Sequence, residues 1–341
     1  MAVEGPVQHR PEVRMDRSDV GRRVSVRRLA GFADDNRPVF RDAIGVLAAW
    51  DDDGLTVVPR AGGPVSFDER LLVAGKVVPL FPARRAPLPP ADPAELRRTA
   101  ARGWPAVEQE PLGGWTLRAS AGFTRRANSV LALGDPGRPL DEALSAVRAW
   151  YAERGLPARV EFGTPGSPEG LGEELDRLGA TCAPTLLRVA PLAGLARSGL
   201  PAALREVRLS RTADAAWLSL YRRAGGGPAV EEAALRVVHG GPSVWFATVP
   251  GGGAGQPPLA VGRCVIDGPW AGFGAIEVAP HGRRAGLGTA VMAVLAARAA
   301  EEGASGAYLQ VEAENTGAVA LYDGLGFTTS HTYQYALLPQ G

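Results

Sequence analysis

The sequence predicts an α+β protein in which a small antiparallel β-barrel precedes two mixed lobes of helices and strands. Three observations lead there. The chain has 341 residues, 45% of them hydrophobic, too long for one compact core and suited to two or three domains. Short β-rich runs fill the region up to residue 84 with little helical periodicity, and from residue 94 helical and strand periods alternate. That alternation breaks at a second irregular stretch, 193–203, and then restarts.

Taken in order, residues 1–19 (MAVEGPVQHRPEVRMDRSD) are polar, charged and aperiodic, and read as a tail. Residues 20–84 hold GRRVSVRRLA, DAIGVLAAWDDDGLTVVPRAGG and VSFDERLLVAGKVVPL, separated by Gly and Asp turns. Asp53-Gly54 between two apolar runs is a hairpin signal. The pattern is that of a barrel of SH3-like type. Pro-rich residues 85–93 form a semi-rigid linker.

In 94–192, PAELRRTAARGW reads as a helix, and GGWTLRAS and ANSVLALG as strands around the turn Gly122–Ala127. PLDEALSAVRAWYAERG is an amphipathic helix with Leu140, Leu144, Val147, Trp150 and Tyr151 near 3.6 spacing. A strand near ARVEFG, a helix over GLGEELDRLG and the strand TLLRVAPL complete this lobe. After the linker 193–203, residues 204–341 begin with a strand, two helices and the strands SVWFATVP, LAVGRCVID and PWAGFGAIEVAP. The helix GTAVMAVLAARAAEEG, the strand AYLQVEAE, the helix TGAVALYDGLG and the strand TYQYALLP follow. The two lobes end alike, ELDRLGATCAPTLLRVAPL against LYDGLGFTTSHTYQYALLP with Gly179 opposite Gly326. That likeness fits a duplication, and equally the general preference for glycine at helix ends.

Composition narrows the function classes. A formal net charge of +1 gives no electrostatic case for nucleic acid or an anionic membrane. Lys76 is the only lysine among 37 basic residues, a bias that looks like GC-rich coding and carries no chemistry. Cys182 and Cys264 are too far apart to suggest a disulfide framework, and the four histidines form no ligand spacing, so no metal is expected. Without a long apolar run or a signal-peptide core, the expectation is a soluble, cytoplasmic protein.

One segment carries chemistry: GAIEVAPHGRRAGLGTAVMAVLAARAA. An apolar strand, Ala275–Val278, runs into a Pro-containing loop, then Arg283, Arg284, Ala285, Gly286, Leu287 and Gly288, and a long apolar-striped helix starts at about Gly288 or Thr289. Glycines let the backbone approach a ligand closely. Successive amides can point into one concavity, and the helix dipole adds its positive end there. Arg283 and Arg284 add formal charge and Thr289 a hydroxyl, so a pyrophosphate fits. The loop is neither a P-loop nor a dinucleotide fingerprint.

R-x-x-G-x-G after a Val-x-Pro strand end resembles the phosphate-loop motif of the GNAT superfamily of N-acetyltransferases. LQVEAENTGAVALYDGLGF resembles its second signature. The resemblance covers Arg205 to Leu338, and two linked motifs in the right order make it specific. With the preceding barrel and middle lobe, the chain looks like an actinobacterial GNAT type carrying an SH3-like domain and a degenerate GNAT-like lobe. The resemblance implies acetyl-CoA as co-substrate and an amine acceptor, small molecule or protein. It implies that the backbone around Ile276 to Val278 belongs to a bulged strand that pairs with pantetheine, that Asn315 contacts the same arm, and that Tyr322 is the general acid toward the leaving thiolate. The chain departs from some relatives in having Gln310 where a catalytic Glu stands. Glu277, or Glu312 on the same strand face as Gln310, then becomes the candidate base.

On spacing alone Tyr322 reads as helix packing, Asn315 as a helix cap, and Glu277 and Glu312 as surface or network carboxylates. Arg125 and Arg126 read as a solvated turn in preference to the lining of an acceptor cleft between the lobes, and Cys264 as a buried strand residue. His331 and Tyr333 lie where they could border an acceptor site. The middle lobe lacks R-x-x-G-x-G and is not expected to bind coenzyme A in the same manner. A second class stays open: a CoA-binding sensor or scaffold whose barrel serves interaction.

Overall fold

The computed structural model describes residues 12–33, 35–59, 63–78, 88–90, 92–195, 207–221, 227–252 and 255–339. Contacts divide the chain into two units, residues 1–85 with 301–303, and residues 86–300 with 304–341.

The first unit is a six-stranded sheet. Its strands are β1 (Glu12–Arg14), β2 (Arg23–Phe32), β3 (Pro38–Asp51), β4 (Gly54–Pro59), β5 (Val65–Phe67) and β6 (Leu72–Val77), in the order β1-β6-β2-β3-β4-β5. Alternation along the strands turns Val24, Val26, Leu47, Leu55 and Val57 into one small core. The Asp53-Gly54 signal marks the β3–β4 hairpin, where Asp51 pairs with Gly54. Residues 12–19 differ from the expected tail. Glu12–Arg14 pairs in parallel with β6, Met15 is buried in the core, and Asp16 and Asp19 form a reciprocal capping box. One buried methionine and two caps order a segment too short to show a period. Residues 85–87 and 91 of the 85–93 linker and residues 196–203 of the 193–203 linker fall outside the described residues.

The second unit is built on one eleven-stranded sheet. Its first elements are α1 (Pro93–Arg102), β7 (Glu108–Leu112), β8 (Trp115–Ala119), β9 (Val130–Leu131), α2 (Leu140–Ala152), β10 (Arg159–Phe162), α3 (Leu171–Arg177), β11 (Thr181–Pro191) and α4 (Leu192–Leu195). Then come β12 (Arg208–Ser210), α5 (Ala215–Leu220), α6 (Pro228–His239), β13 (Ser243–Val249), β14 (Ala260–Asp267), β15 (Trp270–Val278), α7 (Leu287–Glu301), β16 (Gly306–Glu312), α8 (Thr316–Gly324) and β17 (Thr328–Leu337). The sheet order is β12-β13-β14-β15-β16-β11-β17-β10-β9-β8-β7.

Two parallel crossovers organise this sheet: β9–α2–β10 and β15–α7–β16. The closing strands cross between them. β11 lies between β16 and β17, and β17 between β11 and β10. Gly179 and Gly326, matched in the sequence, both take positive φ (71° and 83°) after a helix and lead into these two strands. Helix α7 is buried on nearly every side, from Leu287 to Ala300, as a helix apolar all round must be. Among the described residues no helix is long and apolar enough to cross a membrane.

A buried charge cluster fixes the first crossover. Glu161 on β10 meets Arg118 of β8 at 2.7 Å and Arg97 of α1 at 3.3 Å. Arg118 also donates to the carbonyl and the hydroxyl of Ser129, and Arg97 to the carbonyls of Glu161 and Gly163. Burial opposes ionisation of Glu161, but the Arg118 and Arg97 charges outweigh it and hold its carboxyl below the usual range.

Candidate active site

The second crossover opens where the first does not. β15 and β16 pair only through Trp270–Phe273 against Gly306–Leu309. Beyond that, Gln310–Glu312 pairs with β11 alone among the strands, and β15 bulges. Val261 of β14 faces Glu277 and Arg263 faces Gly274, so Ala275 and Ile276 stand opposite the single residue Gly262. Ala275 takes φ +52° to do this, a costly conformation for a residue with a side chain. Gly262 is required opposite the bulge, since a Cβ there would lie 2.4 Å from Val291 Cγ1 and 2.8 Å from Ile276 Cδ1. Backbone amides and carbonyls of both strands are thereby left facing the gap.

A cavity of about 320 Å³ occupies the opening. Gly274–Glu277 forms one wall, and Gln310, Val311 and Glu312 another. Asn315, Ala318 and Tyr322 line it as well, as do Trp104, Tyr333 and Tyr335 and the loop residues Thr124, Arg125 and Arg126. Of the residues singled out from sequence as the cofactor and proton-transfer groups, the cavity thus gathers Ile276, Glu277, Gln310, Glu312, Asn315 and Tyr322. The Asn315 side chain accepts from the Ala318 amide at 3.1 Å, so it caps α8 and lines the cavity at once. Tyr322 is half-buried and packs edge-on against Phe327 at 5.9 Å. Burial pushes its phenol pKa up, and the nearby Glu277 carboxylate adds to the shift, so the hydroxyl keeps its proton at neutral pH.

The glycine loop stands apart from this cavity lining. Val278 ends β15, a 3-10 turn follows over Pro280–Gly282, and α7 starts at Leu287. Arg284 and Gly286 take φ values of +64° and +75°. Arg283, Arg284, Ala285 and Gly286 are exposed, Leu287 and Gly288 are buried, and Thr289 is half-buried in the first turn. A Cβ built on Gly286 would meet nothing within 4 Å. The leading amides of α7 have no intrahelical acceptor, its first turn carries no acid, and neither Arg283 nor Arg284 pairs with a carboxylate among the described residues. These features fit a pyrophosphate: open space, free donors and unopposed positive charge.

Of the two readings of Arg125 and Arg126, the preferred solvated turn fails and the cleft lining holds: both are half-buried walls of the cavity. The buried side chain of Asn128 holds their loop. Its Oδ1 accepts from the amides of Ser120 and Gly122, and its Nδ2 donates to the carbonyls of Phe123 and Thr124. Arg125 forms an ion pair with Glu312 and lies over the Tyr335 ring, 5.6 Å from its centre. Arg126 lies 5.1 Å over the Trp104 ring. Tyr333 lines the cavity, whereas His331, two residues earlier, does not. Thr185, Trp104 and Tyr335 had no local signal, because their importance arises from strand crossing and loop folding. Cys264 is buried in β14, as its setting in sequence suggested. Among the described residues no three His, Cys, Asp or Glu side chains are grouped to hold a metal.

Comparison with known proteins bears on what this arrangement is. Residues 91–336 match the family model described as "Probable histone acetyltransferase Rv0428c C-terminal". The chain belongs to this family. Within this GNAT-type N-acetyltransferase group, it is 29% identical over 254 residues to the uncharacterized N-acetyltransferase YobR of Bacillus subtilis, covering 72% of this chain and 98% of that one. It is 35% identical over 139 residues to the probable histone acetyltransferase Rv0428c of Mycobacterium tuberculosis, covering 40% of this chain and 42% of that protein. A GCN5-related N-acetyltransferase from Kribbella flavida shares the fold, with a TM-score of 0.53 at 20% identity over 73% of this chain and 96% of the other.

Proposed function

We propose that the protein is an N-acetyltransferase that moves an acetyl group from acetyl-CoA to a primary amine. The observation that carries this reading is the pairing of an opened, bulged β15 with the sterically open glycine loop that follows it in the chain. When bound, acetyl-CoA supplies a thioester: the amine nitrogen bonds to the acetyl carbon, the C–S bond breaks, one proton leaves the nitrogen and one joins the sulfur.

The residues divide the work. Arg283, Arg284 and the amides from Ala285 to Thr289 hold the pyrophosphate. Ile276 and Val278 offer backbone groups to the pantetheine arm, and Asn315 a side-chain contact. Amides at the bulge polarise the carbonyl. Tyr322 protonates the thiolate, which suits a phenol kept protonated by burial and by Glu277. Glu277 takes the amine proton, directly or through water. Glu312 is the weaker candidate because Arg125 already engages it. The six-stranded sheet is in this reading an SH3-like barrel, residues 94–192 a degenerate GNAT-like lobe, and the protein cytoplasmic.

Thiol release from acetyl-CoA with a panel of amines tests the proposal. Turnover above background with at least one class of amine is expected. Acetyl-CoA binding with background release across small amines, protein amino termini and lysine peptides would instead indicate a sensor.

A further inference from the structure

The cavity lining includes a guanidinium that no carboxylate balances among the described residues. Arg126 is half-buried and stacks on Trp104, yet it meets no carboxylate among the described residues. Arg263 lies over the same ring at 4.8 Å. It is fully buried, and its hydrogen bonds go to the carbonyls of Val238, Gly103 and Gly240, none of which carries charge. Arg125 is different, because Glu312 neutralises it. A ring face offsets part of a guanidinium's lost hydration but does not replace a counter-ion.

A second observation is independent of charge. Thr185 on β11 is 4% exposed and its Oγ1 has no hydrogen-bond partner. It lines the cavity between its cross-strand neighbours Glu312 and Tyr333. Buried hydroxyls are nearly always paired, so an unpaired one on a cavity wall points to a ligand.

We infer that the acceptor is a small amine that also carries a carboxylate, with the carboxylate held by the Arg126 guanidinium and the Thr185 hydroxyl and the amino group directed toward Glu277 and Tyr322. This rests on the acetyl-transfer reading and names its substrate class. A cavity of about 320 Å³ has room for an acceptor of amino-acid size, and its lining offers both an acid, Glu277, and a base, Arg126, to match a zwitterion. The loop that presents Arg126 is fixed in advance by Asn128, so little ordering is required on binding.

Binding calorimetry with acetylated products reads this subsite without turnover. The probes are N-acetylglycine, N-acetyl-L-alanine and N-acetyl-L-phenylalanine, each against its carboxamide. At least one acid should bind about tenfold or more tighter than its amide, the range expected of hydrogen bonds to a charged group. Arg126→Gln should erase that difference, and Arg126→Lys should keep part of it. Thr185→Val should narrow it with no fall in melting temperature, because the hydroxyl removed has no partner to lose. Equal binding of every acid and amide, or a preference that survives Arg126→Gln, would overturn the inference. Thiol release with amino acids and with their decarboxylated amines separates the two levels. Release that is equal for both, or confined to basic peptides, sinks the subsite alone. No acetyl-CoA binding and no release with any amine sinks the transfer reading, while the calorimetry still decides the carboxylate preference.

Discussion

The two parallel crossovers of the large sheet begin from the same plan and end in opposite states. In β9–α2–β10 the strands stay closed. The Ala132 amide donates to the Glu161 carbonyl at 3.0 Å and the Gly134 amide to the Gly166 carbonyl at 2.8 Å, while Ser167 bonds the Ala132 carbonyl at 2.6 Å. The space beside them is filled by Glu161 and its two arginines. Asp141 and Glu142 occupy the first turn of α2, where they complement the dipole and repel an anion. In β15–α7–β16 a bulge opens the strands, no acid sits in the first turn of α7, and two arginines precede it. One crossover satisfies its polar groups internally, and the other leaves them for a ligand.

The sharpest way to break this comparison is to remove the groups that distinguish its two sides. Tyr322→Phe keeps the ring against Phe327 and deletes only the hydroxyl. Turnover should fall about a hundredfold to ten-thousandfold, with acetyl-CoA binding nearly unchanged. Full turnover would return Tyr322 to a packing role. On the closed side, Glu161→Gln leaves Arg97 and Arg118 buried without a counter-charge and should cost about 3–5 kcal/mol in denaturant unfolding. A loss below about 1 kcal/mol would mean that the cluster is not what holds this crossover shut.

Acid sharpens the same contrast. The Glu161 carboxyl is held below its ordinary value, so its contribution is present above about pH 4.3 and is lost as pH falls through the folded value. Burial, and then the Arg97 charge, push His331 down to about 4. Its neutral form therefore favours the fold above about pH 6.5, and that contribution is lost as pH drops toward 4. Melting temperature should decline in two stages on acidification, and Glu161→Gln should remove the lower one. The smallest of these effects concerns the base. Glu277→Gln should lower turnover by about a hundredfold or less and flatten the acid limb of the rate profile, while Glu312→Gln leaves that limb in place. The reverse result moves the base to Glu312, and no effect from either leaves the proton to water.

Much of the second crossover was legible in the sequence because its devices are local. Arg283, Arg284, Gly286 and Gly288 sit within one loop, and Asn315 precedes the helix that carries Tyr322. The resemblance implied a bulged strand around Ile276–Val278, but the positive φ at Ala275 was not legible, since nothing about alanine announces it and the cause lies across the sheet at Gly262. Thr185 escaped for another reason, and Arg126 was legible only as the less favoured reading of its turn. Both line the cavity because β11 inserts between β16 and β17 and because Asn128 holds the loop that carries Arg126. The strand at Glu12–Arg14 escaped because three residues show no period, and the partner that orders them lies far along the chain in β6.

The claim that one crossover binds acetyl-CoA and the other cannot is tested most directly by calorimetric titration of the full chain with acetyl-CoA, alongside Gly286→Val. The account predicts one site per chain. It predicts that a ligand concentration about 100 times the dissociation constant raises stability by about 2.7 kcal/mol, and that both binding and shift vanish in Gly286→Val, where the new side chain fills the open cradle. Two sites per chain, or a single site that survives Gly286→Val, would contradict it.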